Sequence, residues 1–167
     1  MEKIKNLYKK YEEIITYLFF GVVTTVVSLL ACWVTLKLGV LIWHDEAGEP
    51  TEFLDILGST VQWVVGVLVA FFTNKKWVFT NADKDVSTIS QLLRFSASRL
   101  ATLELDTLLT FGTVWVLRRL DYSDVTLVGI TLSADLISKI VASAVVLISN
   151  YILSKIFVFK AKKSNTK

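Results

Sequence analysis

The chain has 167 residues, 53% of them hydrophobic and 20% charged, with a mean hydropathy of +0.56 and a formal net charge of +3. That is too apolar for a water-soluble domain of this size. A membrane span needs about 20 mostly apolar residues to cross about 30 Å of hydrocarbon, so four spans with short connections are expected to use nearly the whole length and to leave no room for a soluble catalytic domain.

The chain opens with the lysine-rich segment MEKIKNLYKKYEE, residues 1–13, whose apolar positions Ile4, Leu7, Tyr8 and Tyr11 recur at helical spacing. It is expected to lie along the membrane surface on the cytoplasmic side, the competing reading being a plain solvated extension. The apolar run that follows is too long for a signal peptide and lacks a clear cleavage site. The first span, about residues 14–38, has no charge between Ile14 and Leu36. Its small residues Gly21, Thr24, Thr25 and Ser28 form a seam that predicts close helix packing or contact between copies. The lone cysteine, Cys32, falls in this span and excludes an intramolecular disulfide or a cysteine-based metal site. His44 sits beside Asp45, Glu46 and Glu49 in the connection and reads as a solvated loop residue, with no metal site expected.

The second span covers about residues 56–79, with Gln62 as its most polar member, and closes on TNKKWVF. The third, about 91–118, carries Arg99, Glu104 and Asp106 within an otherwise apolar helix. The fourth, about 130–159, carries Lys139 near one end and Lys155 near the other, and residues 160–167 form a basic tail.

Lysines and arginines concentrate before the first span, between the second and third (Lys75, Lys76, Lys84, Arg94) and after the fourth. These segments are assigned to the cytoplasm by the positive-inside rule. The connection between the first two spans is acidic, and the one between the last two sets Arg118 and Arg119 against Asp121 and Asp124; both are assigned outward. Because the lysines flank spans and do not form a basic face interleaved with aromatics, nucleic acid is not an expected partner. NKKWVF (Asn74–Phe79) matches SKIFVF (Ser154–Phe159), and ITYLFFG (Ile15–Gly21) matches LRFSASR (Leu93–Arg99) more weakly. The expected fold is therefore an all-α integral membrane protein of four transmembrane helices, arranged as two parallel-related two-helix repeats with both termini cytoplasmic.

An ionisable group within a span costs about 2.5 to 3.5 kcal/mol on insertion scales, so it is expected to face the bundle interior or a wet cavity and to find a partner. Arg99 and Asp106, seven residues apart, share a helix face, whereas Glu104 points elsewhere. From Arg94 the helical rise puts Asp106 about 18 Å deep, and from Lys155 it puts Lys139 about 24 Å deep, a difference the lysine stem can bridge. An intramembrane polar cluster of Glu104, Asp106, Lys139 and Asn150 follows, with a buried Lys139–Asp106 ion pair at its centre. The competing reading is a purely structural pair joining the third and fourth spans.

A second cluster lies toward the cytoplasm: Asn74, Lys75, Arg99 and Lys155 combine a planar guanidinium with ammonium groups and an amide, the set that a lipid phosphate requires. The competing reading is snorkelling lysines with Trp77, Phe79, Phe157 and Phe159 as an aromatic belt, and for Lys76 that reading is preferred.

YLFFGVVTTVVS, AFFTNKKWVF, LLRFSASRLATLELD and SKIVASAVVLISNYILSKIFVF, in this order at the ends of successive spans, resemble the GtrA-like family of small four-span membrane proteins. The resemblance implies a role in bacterial cell-surface polysaccharide synthesis or teichoic-acid glycosylation, by moving undecaprenyl-phosphate-linked sugar across the cytoplasmic membrane. Its matching positions are Asn74, Lys75, Arg99, Asp106, Lys139 and Asn150. Ser154 departs from strict two-fold equivalence, since the second half has its asparagine four residues earlier. The expected partners are a polyprenyl-phosphate-linked sugar, membrane lipid, a membrane glycosyltransferase and further copies of the chain, with no cofactor and no enzymatic activity. The alternative is a non-transporting accessory or anchor for a membrane glycosyltransferase.

Overall fold

A computed structural model describes residues 2–43, 50–83, 85–127 and 130–160. The expectations placed on His44, Asp45, Glu46, Glu49, Lys84 and the tail lysines Lys162, Lys163 and Lys167 lie outside these residues. Four helices are long and apolar enough to cross a membrane: α1 (Glu2–Gly39), α2 (Glu52–Thr73), α3 (Thr88–Arg119) and α4 (Ala134–Leu153). Two short strands, β1 (Val125–Leu127) and β2 (Ile130–Leu132), pair antiparallel before α4. The chain divides into two compact units, the first over Met1–Asp83 and the second over Lys84–Lys160.

In the first unit, α1 is continuous from Glu2, so the N-terminal lead is helical and runs directly into the span. Helix α2 starts at Glu52, four residues before the boundary that hydropathy alone suggests, because Thr51 Oγ1 accepts the Leu54 N–H (3.4 Å) and Glu52 and Asp55 complement the positive helix start. The two helices pack antiparallel on glycines. A Cβ placed on Gly58 would come within 3.0 Å of Leu36 Cδ2 and 3.5 Å of Cys32 Sγ, and one on Gly66 within 3.4 Å of Ser28 Cβ. Ser28 therefore belongs to the seam, as the small-residue pattern predicts, but Gly21 does not: a Cβ there meets nothing within 4 Å. The close approach uses glycines of both helices, since a Cβ on Gly39 of α1 would collide with Leu54 Cδ1, and the small-residue pattern of the first span does not reveal these positions. Phe20 stacks on Trp77 (4.9 Å between centroids) at one end of the pair, and Trp43 meets Phe53 edge-on at the other.

In the second unit, α3 stops at a reversal in which Tyr122 N–H donates to Leu117 O (3.0 Å) and Asp121 N–H to Arg118 O (3.3 Å). This is a Schellman stop with Asp121, at φ 50°, in the left-handed position that usually takes glycine. The β1–β2 hairpin occupies the start of the segment expected to be the fourth span. Helix α4 begins only at Ala134, where Ser133 caps it by accepting the Leu136 N–H (3.2 Å). Tyr122 ties the stop to the hairpin by donating to Leu132 O (2.8 Å).

Both units close in the same way. At Asn74–Val78 and again at Ser154–Val158 the helix widens into one π turn, closed by Phe79 N–H to Asn74 O and Phe159 N–H to Ser154 O, each 2.8 Å. Such bulges occur preferentially at functional positions. Large apolar side chains such as Phe19, Val22, Leu108 and Phe111 point outward, while the fully buried set is small and includes Leu54, Phe71, Phe95, Gln91 and Ser138. This inversion of the soluble pattern is what a hydrocarbon solvent selects.

Two stability tests follow. Gly58→Leu is expected to destabilise the protein in detergent by about 1–3 kcal/mol through overpacking against Leu36, while Gly21→Leu leaves the unfolding midpoint unchanged. Asp121→Gly is expected to stabilise by up to about 1 kcal/mol, by removing the Cβ from a left-handed backbone position.

Candidate functional site

The second unit holds a continuous ladder between α3 and α4. Phe95, Arg99, Thr102 and Asp106 recur at spacings of four, three and four residues, which places them on one face of α3. Phe95 meets Phe159 (6.1 Å between centroids), Thr102 Oγ1 donates to Asn150 Oδ1 (2.8 Å), and Lys139 Nζ donates to Asp106 Oδ2 (2.5 Å). The expected ion pair is present, but it is not buried as expected. Its carboxylate is 21% exposed and its ammonium side chain 59%, so the lysine caps the pair from the rim of the seam.

Glu104 is not part of this pair. It lies on the opposite, exposed face of α3 with Leu100, Leu108 and Phe111, and among the described residues it has no ion-pair partner. The reason is geometric: two residues along a helix turn the side chain by about 200°, so Glu104 and Asp106 cannot share the α4 contact.

The basic cluster is divided between the units. Arg99 and Lys155 belong to the second, Asn74 and Lys75 to the first. Arg99 arises between Phe95 and Thr102, and Lys155 between Asn150 and Phe159, so both start within one layer about 10 Å thick, bounded by the aromatic contact and the Thr102–Asn150 bond. The Arg99 guanidinium lies over the Phe95 ring, 4.6 Å from its centroid. Lys155 Nζ lies 5.4 Å from the Tyr151 centroid and donates to its hydroxyl at 3.1 Å. In the first unit, Lys75 repeats the arrangement over Phe71 at 5.8 Å, and Asn74, 3% exposed, opens the π turn. Lys76 instead turns outward onto Trp77 at 4.6 Å.

The sequence reading missed Thr102 and the aromatic seats Phe71, Phe95 and Tyr151. The available signal was spacing: each seat precedes its cation by four residues, and Thr102 lies on the Arg99–Asp106 face. Chemically, the seam offers cations at one end and hydroxyl, amide and ionic groups deeper in the same face, a set suited to an anionic headgroup with hydroxylated substituents.

Fold and site together define a multi-pass membrane protein built from two helix pairs, with a polar seam inside the second. The chain belongs to the GtrA/DPMS transmembrane-domain family, whose pattern matches residues 16–159. It is 26% identical over 164 residues to the cell wall teichoic acid glycosylation protein GtcA of Listeria monocytogenes serovar 1/2a, covering 98% of this chain and 95% of that protein. It is 28% identical over 149 residues to the uncharacterized membrane protein YwcD of Bacillus subtilis, covering 88% and 96% respectively. The GtcA protein of Listeria innocua is 27% identical over 164 residues, covering 98% of this chain and 95% of that one. No solved structure matches the chain.

If the ladder sets the register of α3 on α4, Asp106 and Lys139 are energetically coupled. A double-mutant cycle of Asp106→Asn and Lys139→Met, read by unfolding in detergent, is expected to give an interaction energy of about 1–3 kcal/mol. Additive losses would mean that the two groups are near each other without being coupled.

Proposed function

We propose that the protein carries an undecaprenyl-phosphate-linked sugar across the bacterial cytoplasmic membrane for glycosylation of teichoic acid or a related cell-surface polysaccharide. The observation that carries this reading is the order of groups along the α3–α4 seam: Arg99 and Lys155 in one layer, then Thr102–Asn150, then Asp106–Lys139. In the proposed mechanism, both termini are cytoplasmic and the cations take the lipid phosphate at headgroup depth, with Asn74 and Lys75 of the first unit in the same role. Sugar hydroxyls lose water on entering hydrocarbon, which is costly unless other partners replace it. The ladder supplies those partners in sequence, with Asp106–Lys139 as the step that must open. Asp106 and Glu104 are the proposed proton sites if movement is ion-coupled. No bond of the substrate is made or broken, so the role is not enzymatic. The names of the GtcA relatives support the glycosylation context.

The test is movement of a labelled polyprenyl-phosphate sugar in vesicles containing the purified protein. Arg99→Ala and Asp106→Asn are each expected to slow it by at least about ten-fold, the equivalent of about 1.4 kcal/mol. Unchanged rates in both variants would sink the site assignment.

One observation favours a second reading, an accessory or anchor for a membrane glycosyltransferase. Glu104, exposed among apolar residues of α3, has no ion-pair partner among the described residues, and a carboxylate at that depth is stabilised by a cation from a neighbouring membrane protein. Co-purification with a transferase that Glu104→Gln abolishes, together with no lipid movement by the protein alone, would favour that reading.

A further inference from the structure

The end of α3 opposite Arg99 carries a cleft of about 440 Å³ lined by Phe111, Val114, Trp115, Arg118 and Arg119. Phe111 is 71% and Trp115 61% exposed. The Arg119 guanidinium lies over Trp115, 5.4 Å from the ring centroid. Among the described residues neither arginine is paired with a carboxylate, although Asp121 and Asp124 follow closely in the chain.

Three features limit what fits. Paired guanidiniums without counter-ions call for an anion from outside the chain, and their planar donor forks match phosphate. The apolar walls extend about 12 Å along the helix on the membrane side of the guanidiniums, from Arg119 to Phe111, so the anion arrives attached to hydrocarbon. The arrangement also repeats the one at the other end of α3: Arg119 sits over the aromatic ring four residues earlier, as Arg99 sits over Phe95 at 4.6 Å. Similar seats at both ends of one helix select the same headgroup.

We infer that this cleft is a second lipid-phosphate site, which takes the phosphate of a polyprenyl-phosphate lipid in the outer leaflet. The inference rests on the carrier reading and its orientation, and it assigns the site from which the lipid leaves. Arginines on the outward side run against the sorting that keeps basic residues inside, so their retention there is consistent with binding.

The test is equilibrium binding of a fluorescent polyprenyl phosphate to the full chain in phosphatidylcholine nanodiscs. The wild type is expected to bind two per chain. Arg118→Gln with Arg119→Gln is expected to weaken one site by more than about 50-fold and leave the other, while Arg99→Gln does the reverse. Trp115→Leu, which keeps both charges and so guards against misfolding of the double variant, is expected to weaken the same outer site about five-fold. An isotherm unchanged in both the double variant and Trp115→Leu overturns the inference. So does equal displacement by phosphatidylglycerol, which marks a general anionic-lipid contact, or displacement by inorganic phosphate alone, which marks a free-anion site. Binding is read without transport, so failure of lipid movement in vesicles strikes the carrier reading while leaving these two sites measurable.

Discussion

Hydrocarbon offers no hydrogen bonds, so each polar group within a span needs a partner from the chain or a ligand, and Lys139 and Asp106 of the second unit meet that demand for each other. The other contacts of the α3–α4 seam depend on its register. Sliding α4 by one residue turns its side chains by about 100° and separates Asn150 from Thr102 and Phe159 from Phe95. The layer holding Arg99 and Lys155 would be lost with them. The pair thus acts less as a source of net stability, which desolvation largely offsets, than as a specification of which faces meet.

The first unit meets the same constraint by different means. Its seam contains glycine against Ser28, Cys32 and Leu36, where dispersion at short range joins the helices and no ionic group is required. Several hydroxyls on its spans are satisfied within their own helix: Thr25 donates to Gly21 O, Thr35 to Ala31 O and Thr60 to Ile56 O, whereas the buried Thr24 Oγ1 has no partner among the described residues. Overpacking would be felt strongly there, since a tight apolar seam has no slack. A seam built from a rim-exposed ion pair and one hydroxyl–amide bond is different in kind, because a hydroxylated headgroup can replace its partners one at a time. On the carrier reading, the second unit is the one that opens and the first is the frame.

The four spans, the Lys139–Asp106 pair and the places where the two π turns fall were legible in the sequence, because each depends on hydropathy, charge or a repeated motif within a short window. What was not legible depends on hydrogen bonding or on the opposite helix. The matching segments NKKWVF and SKIFVF mark the two π turns, but an i to i+5 bond leaves no compositional trace. Thr51 and Ser133 move helix starts by capping, and the β1–β2 hairpin takes residues as apolar as a span. Gly21 takes no part in packing α1 on α2, where the close approach is built at Gly39, Gly58 and Gly66, and of its two expected roles contact between copies is the one left. Glu104 was kept in the cluster for its depth, although the helical rotation already evident in the sequence turns it away from Asp106.

The direction taken by the cations bears on snorkelling as their explanation. Side chains on a helix lean toward its N-terminus. Lys75 and Lys155, at the C-terminal ends of their spans, therefore bend back along the span onto Phe71 and Tyr151, away from the helix end where water would be met. Arg99, deeper in α3, leans toward the beginning of its helix onto Phe95. In the second unit the lysine approaches from beyond the layer and the arginine from beneath it, each held over a ring face.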